Sequence, residues 1–141
     1  MHFLFFGPAA ITLNSNDEPE DVFSVTIKMN VDEPIYGAEC VYGINGNELG
    51  SMATTDAKFK EYDDDFYFGF SELMLENASD YSDFYIEVSF FNTEEEARMS
   101  AATMEIQTNE PDITLTRDMK AGDSLTYILT KDGNKYILTP A

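Results

Sequence analysis

The sequence predicts an all-β protein that folds as a single antiparallel β-sandwich. Short apolar runs alternate with polar residues at a period of two, as half-buried strands do. Gly, Pro, Asn and Asp interrupt these runs about every 8–12 residues, which is the turn spacing of sandwiches. No long stretch has helical periodicity. We therefore expect about seven to nine strands and at most one short helical turn.

The first strands lie in the N-terminal half of the chain. In residues 22–32 (VFSVTIKMNVD), apolar and polar side chains alternate from Phe23 onward, which predicts one half-buried strand. The next run, residues 35–44, ends directly at Asn45-Gly46. Asn-Gly is a strong hairpin signal because both residues tolerate positive φ. We expect a short return strand that ends near Met52.

Three further features occupy the middle of the chain. Residues 57–62 (AKFKEY) and residues 66–70 (FYFGF) each predict a strand, separated by three aspartates. Ser71 is placed to cap a helical turn, because serine hydroxyls accept hydrogen bonds from backbone N–H groups at helix starts. Residues 83–91 (DFYIEVSFF) then predict the clearest central strand.

The last third of the chain predicts four more strands. Residues 92–97 (NTEEEA) are interpreted as a charged turn, and residues 98–108 (RMSAATMEIQT) as the strand that returns from it. Residues 112–118 form a short strand before a turn around Gly122. The final two strands flank residues 131–134 (KDGN), another hairpin signal. Because these hairpins are consecutive, the topology is antiparallel, immunoglobulin-like or a similar Greek key.

The domain organisation follows from this pattern. Residues 22–141 are predicted to be one β-sandwich domain, and residues 1–21 an N-terminal segment. The opening residues MHFLFFGPAAITL contain an apolar core and small residues, as export signals do, but no basic residue precedes them. They also do not alternate as a strand should. We expect a signal-like or extended tail that packs on the sandwich or on a neighbouring molecule.

The charge of the chain excludes several partners. The sequence has 27 acidic and 8 basic side chains, for a formal net charge of −19. Such a field repels nucleic acids and anionic lipids. No apolar stretch is long enough for a transmembrane helix. The expected partner is an unidentified protein or glycan. Self-association through the N-terminal segment or an edge strand is a further option.

The sequence lacks the residues that most kinds of catalytic site need. His2 is the only histidine and Cys40 the only cysteine, which excludes the usual nucleophilic dyads and zinc sites. Cys40 lies in an apolar run and is interpreted as a small buried residue. No glycine-rich phosphate loop occurs. We therefore predict no catalytic residue and no cofactor.

The three consecutive aspartates are the strongest candidate for a metal site. Asp63, Asp64 and Asp65 supply oxygen ligands of the kind calcium prefers. They do not match the EF-hand pattern, and consecutive side chains on an extended chain point in different directions. A solvated turn whose charges prevent edge pairing is the favoured interpretation. Calcium binding stays the alternative.

The tyrosines are the best candidates for ligand contacts. Tyr67 and Tyr85 each lie opposite the phenylalanine face of their strand, so they are predicted to face outward. An exposed sheet face with tyrosines suits binding, because the ring is apolar and the hydroxyl forms hydrogen bonds. The alternative is that these rings only cover strand backbones.

Three segments resemble a known group of proteins. The hairpin YGINGNELGS, the strand SDFYIEVSFF and the ending GDSLTYILTKDGNKYILTP resemble uncharacterised exported immunoglobulin-like β-sandwich domains of gut-type Gram-positive bacteria. The resemblance covers most of residues 22–140 and implies an exported module without transferable catalytic residues. The opening residues depart from it, because they contain neither a full signal peptide nor a lipid-attachment cysteine.

Three functions are compatible with these observations. The leading prediction is a non-enzymatic, extracellular or cell-surface binding or structural module that contacts protein or glycan through a sheet face or loops. The second is an acidic inhibitor or nucleic-acid mimic that binds a basic partner, with a cytoplasmic location. The third is a carboxylate-based glycan-active enzyme.

Overall fold

The computed structural model of the chain describes residues 2–6, 20–103 and 110–141. The described residues form two β-sheets and one helix, which confirms the predicted all-β sandwich. In chain order the elements are β1 (His2–Phe6), β2 (Asp21–Met29), β3 (Gly37–Ile44), β4 (Asn47–Thr55), β5 (Phe66–Ser71), β6 (Tyr81–Phe91), α1 (Glu94–Thr103), β7 (Ile113–Met119), β8 (Ser124–Asp132) and β9 (Lys135–Pro140).

The two sheets differ in size and in strand direction. The five-stranded sheet has the order β1-β4-β3-β6-β7, and the four-stranded sheet has the order β5-β2-β8-β9. Neighbouring strands are antiparallel except β2 and β8, which run parallel from Ser24 and Ser124 onward. This parallel pair brings together residues that are a hundred positions apart in the chain.

The core lies between the sheets and is rich in aromatic rings. Phe23, Val25 and Ile27 point inward from β2 and are at most 2% exposed, as their alternation predicts. Phe23, Phe70 and Phe84 form a cluster that joins the sheets, with centroid distances of 4.7 Å from Phe84 to Phe23 and 4.9 Å from Phe84 to Phe70. These edge-to-face contacts fix how the sheets stack.

Both predicted hairpins are present. Asn45 and Gly46 have φ angles of 52° and 78°, and they connect β3 to β4 in the geometry that Asn-Gly favours. The second hairpin joins β8 to β9, with Gly133 at a φ of 62°. β4 is longer than expected, since it continues past Met52 to Thr55 and pairs with β1 on its far side.

The predicted turn at Ser71 is also present. The Ser71 hydroxyl accepts a hydrogen bond from the Met74 N–H group at 3.3 Å. The Ser71 carbonyl accepts one from the Leu75 N–H group at 3.0 Å. Met74 and Leu75 are both buried. The turn therefore places two apolar side chains into the core between β5 and β6.

The strand predicted over residues 98–108 is wrong where the structure describes it. Residues 94–103 form helix α1, and residues 104–108 lie outside the described residues. Thr93 caps the helix by accepting a hydrogen bond from the Glu96 N–H group, and the Glu96 carboxylate accepts one in return from the Thr93 hydroxyl. This arrangement resembles a capping box, except that the Glu96 carboxylate accepts from the Thr93 hydroxyl and the Asn92 N–H group instead of the Thr93 N–H group. The acidic residues in the first turn also interact favourably with the helix dipole. The predicted charged turn is thus the start of a helix.

The strand predicted over residues 57–62 is also wrong. The Asp56 carboxylate accepts hydrogen bonds from the N–H groups of Lys58 and Lys60, at 2.8 and 3.3 Å. In a strand, these N–H groups would instead donate hydrogen bonds to the carbonyl groups of an adjacent strand. Phe59 between them has a φ of 58°, which a strand residue does not adopt. The segment is a loop, and Tyr62 at its end is buried against Phe66.

The N-terminal segment is described only in part. His2–Phe6 form β1, the edge strand beside β4, while residues 7–19 lie outside the described residues. The interpretation of residues 1–13 as a signal-like tail therefore stays a prediction. No helix among the described parts of the chain is long and apolar enough to cross a membrane.

An ion pair anchors the β8–β9 hairpin to the turn after β2. The Lys131 ammonium group lies 2.6 Å from Glu33 Oε1, and the Tyr136 hydroxyl donates to the same oxygen at 2.7 Å. Lys131 also lies 4.7 Å from the centroid of the Tyr136 ring. The bond from Lys131, followed by that from Tyr136, lowers the pKa of the Glu33 carboxyl group.

We expect Glu33→Gln to lower the free energy of unfolding at neutral pH by at most about 1 kcal/mol, because the pair is partly exposed. The folded-state pKa of Glu33 is below the unfolded value, so the stabilisation is complete above the unfolded pKa. It is lost as pH falls through the folded pKa. Chemical denaturation should therefore show the difference from wild type shrinking with acidification. A difference that grows toward low pH would contradict this account.

Candidate functional site

The outer face of the four-stranded sheet carries a regular array of hydroxyl groups. Inward-pointing Val25, Tyr127, Leu129 and Tyr136 are buried, so the alternate positions of the same strands face outward. We call this surface the hydroxyl face; its hydroxyl residues are Ser24, Thr26, Ser124, Thr126, Thr130 and Thr139. Lys28, Tyr67, Ile128 and Ile137 also belong to it, and the exposed pair Asp132 and Lys135 lies at one end.

Strand register arranges these residues in rows across the sheet. Tyr67 on β5 pairs with Thr26 on β2, which pairs with Thr126 on β8. In the adjacent row Ser24 pairs with Ser124, and their hydroxyl oxygens are 3.4 Å apart. Paired residues lie side by side on one face of a sheet. The rows therefore form a grid of hydroxyl groups, in which Ser24 is only 6% exposed and the other residues are more accessible.

Tyr67 is held in place by Asp21. The Tyr67 hydroxyl donates a hydrogen bond to Asp21 Oδ2 at 2.6 Å. A side chain on Gly69 would clash with the Asp21 carboxylate, so glycine leaves the room that this carboxylate needs. Burial and then the bond to Asp21 raise the pKa of Tyr67, while the nearby Ser24 hydroxyl opposes the rise. Tyr67 is thus a neutral, oriented phenol at the edge of the hydroxyl face.

Tyr85 lies on the other side of the molecule. It belongs to β6 in the five-stranded sheet, and its ring packs directly over Gly43 on β3. Burial, followed by the charges of Glu48 and Glu87, raises the pKa of its hydroxyl. The structure therefore does not bring Tyr67 and Tyr85 together: each faces outward from a different sheet.

The three aspartates lie in the loop before β5. Asp63 and Asp64 are exposed, and Asp64 Oδ1 accepts a hydrogen bond from the Asp65 N–H group at 2.8 Å. Burial and then the charges of Asp64, Asp65 and Asp63 raise the pKa of the adjacent Tyr62 to about 12. Within residues 20–103 and 110–141, no group of three His, Cys, Asp or Glu side chains is arranged to hold a metal ion.

We expect removal of calcium to leave the thermal stability unchanged. The Asp63–Asp65 loop is held by the hydrogen bond from the Asp65 N–H group to the Asp64 carboxylate and by stacking of Tyr62 on Phe66, with a centroid distance of 4.6 Å. A ligand that binds only the folded state would raise Tm, and chelation would then lower it. Calorimetry with EDTA and with added calcium checks this. A Tm that falls with EDTA and recovers with calcium would show that the aspartates bind it.

A concave region, which the sequence did not indicate, lies between α1 and the five-stranded sheet. Its volume is about 260 Å³, and Glu39, Phe91, Glu96, Met99 and Asp112 are among its lining residues. Asp112 Oδ2 accepts a hydrogen bond from the Phe90 N–H group at 2.8 Å. Glu39 is only 2% exposed and pairs in register with Ser89. The sequence signal that could have indicated this buried carboxylate is the position of Glu39 between Ala38 and Cys40, in an otherwise apolar run.

Cys40 has the buried position that the sequence predicts. The thiol is fully buried in the core, and this burial, followed by the charge of Glu87, raises its pKa. Its paired residue on the adjacent strand β4 is Met52. A thiol that is both protonated and inaccessible is a poor nucleophile.

Comparison of the chain with protein-family models, with curated proteins and with solved structures finds no match in any of the three.

Proposed function

We propose that this protein is a non-enzymatic binding or structural module, located outside the cell or on its surface. It contacts a protein or a glycan through the hydroxyl face. One observation carries the proposal: between Ser24 and Lys28 on β2 and between Ser124 and Thr130 on β8, the outward side chains are hydroxyl groups, one isoleucine and one lysine, in a chain with a net charge of −19. The resemblance to exported β-sandwich domains supports the location.

The physical properties of this face suit recognition. Threonine has few side-chain rotamers, so ordering it on binding costs little entropy. The hydroxyl groups both donate and accept hydrogen bonds, and the two isoleucines add apolar area, with Ile137 39% exposed. The sheet beneath is a rigid support, because β2 and β8 lie between two other strands.

The two outward tyrosines provide a matched test of the proposed face. We expect Tyr67→Ala to weaken binding to glycan arrays or to immobilised cell-surface material about tenfold or more, the size of the loss of one strong aromatic contact. Tyr85→Ala should leave binding unchanged, since Tyr85 belongs to the opposite sheet. Both substitutions remove a whole phenol ring, and both rings are half-buried in the wild type.

Thermal denaturation of both variants is the control for folding. Tyr67→Phe keeps the ring but removes the donor to Asp21, so it separates the ring contact from the orientation of the phenol. Normal binding by Tyr67→Ala, combined with loss of binding by Tyr85→Ala, would place the contact on the five-stranded sheet and refute the proposal.

A further inference from the structure

The hydroxyl face carries few charges on a strongly acidic protein, and the cross-strand pair of Asp132 and Lys135 lies at one end of it. Between Ser24 and Lys28 on β2, and between Ser124 and Thr130 on β8, the outward side chains include no carboxylate and one ammonium group. Asp21 lies at the end of the face, where it accepts the hydrogen bond from Tyr67. The electrostatic field of this face is therefore weak compared with that of the loops around it.

The size of the face limits what can bind there. Four strands spaced about 4.8 Å apart, each contributing about six residues at 3.3 Å, cover roughly 400 Å². A stable protein interface needs about 800 Å² from each partner. A second copy of this chain would also bring its own acidic loops close to those of the first. These two facts argue against a protein partner and against a dimer through this face alone.

The chemistry of the face matches a chain of hydroxyl groups. Rows such as Tyr67, Thr26 and Thr126 offer donors and acceptors at regular spacing, and a sugar polymer offers the same in return. The aromatic ring of Tyr67 adds an apolar surface for the C–H groups of a sugar ring. An open sheet surface of this kind contacts an extended polymer better than a small ligand, which needs a concave site.

We propose that the hydroxyl face binds a linear, uncharged polysaccharide, which lies across the four strands. This inference rests on the proposed function and specifies its ligand. The lack of charge in the ligand follows from the net charge of −19, which repels polyanionic glycans. Lys28 is the single cation in the central part of the face, since Lys135 lies at its end and pairs in register with Asp132.

Affinity electrophoresis in native gels tests the proposal. The gels contain one polysaccharide each: mixed-linkage β-glucan, hydroxyethyl cellulose, galactomannan or xylan as neutral probes, and polygalacturonate as the anionic probe. We expect retardation by at least one neutral probe and none by polygalacturonate. Retardation should be nearly independent of salt, because no ion pair forms on binding.

A pair of charge-adding variants locates the contact. Thr126→Glu places a carboxylate in the middle of the hydroxyl face and should weaken binding to the retarding probe at least tenfold. Thr114→Glu adds the same charge to an exposed position on the outer face of the five-stranded sheet and should bind as wild type does. Equal Tm values for the two variants would exclude unfolding as the cause.

The outcomes separate the inference from the proposed function. No retardation by any neutral probe, or retardation by polygalacturonate alone, overturns the neutral-polysaccharide inference. The proposed function survives that result if a protein ligand is bound and Thr126→Glu abolishes its binding. Both fail if Thr126→Glu and Tyr67→Ala leave every interaction intact while Thr114→Glu or Tyr85→Ala removes it.

Discussion

Phe84→Ala is expected to lower the free energy of unfolding by about 3–5 kcal/mol, enough to unfold much of a marginally stable domain. The Phe84 ring is 1% exposed and contacts Phe23 and Phe70 of the opposite sheet. Removing it leaves a cavity between two sheets that cannot easily close, because strands on both sides are fixed by hydrogen bonds. Urea denaturation followed by far-UV circular dichroism measures the change.

Phe59→Ala is the matched control for this substitution. Phe59 lies in the loop before β5, is half-buried, and contacts the Arg98 guanidinium group at 4.8 Å from its ring centroid. Loss of this contact should cost about 1 kcal/mol or less. Similar losses of stability in the two variants would contradict a core that is centred on the three-phenylalanine cluster.

Gly37→Ala is expected to cost about 3 kcal/mol, because backbone strain and a steric clash act together. Gly37 begins β3 with a φ of 143°, a conformation that residues with side chains rarely adopt. A Cβ atom there would also clash with the Thr54 carbonyl oxygen and lie 3.0 Å from the Phe91 ring. Urea denaturation of the variant gives the loss in unfolding free energy.

Gly133→Ala separates the two causes. Gly133 has a φ of 62° in the β8–β9 hairpin, but nothing lies within 4 Å of the position of its Cβ atom. This variant should lose about 1 kcal/mol, from strain alone. If both variants lost the same amount, the close approach of β3 to β4 at Gly37 would carry no energetic weight.

The sequence predicted those elements whose signals are local. The alternation in residues 22–32 fixed which side of β2 is buried, and Asn45-Gly46 located a hairpin, since both depend on neighbouring residues only. The parallel pairing of β2 with β8 could not be foreseen in this way. Each strand carries its own pattern of burial, but no local signal says which other strand will lie beside it.

The two errors have the same physical origin. In both places a side chain takes hydrogen bonds from the backbone and overrides the strand propensity of nearby residues. Thr93 caps a helix by accepting a hydrogen bond from the Glu96 N–H group, and Asp56 closes a loop. The spacing of Thr93 and Glu96 was visible in the sequence as a capping-box signature, whereas the role of Asp56 was not.

The candidate site could be predicted only one residue at a time. Alternation placed Tyr67 and Tyr85 outward, and the structure agrees for both residues. Sheet membership then separates them, because β5 and β6 are consecutive in the chain but belong to different sheets. The hydroxyl face was missed for the same reason, since its rows combine Thr26 with Thr126 from distant parts of the chain.

The central claim is that the outer face of the four-stranded sheet binds the ligand of this protein, and amide chemical-shift mapping tests it most directly. The measurement titrates the isotope-labelled chain with an oligosaccharide of the neutral probe that retards it most strongly in native gels. The account predicts that the largest shifts occur at Thr26, Tyr67 and Thr126. Shifts concentrated at Tyr85 and Thr114, around the cavity beside α1, or nowhere in the chain would contradict it.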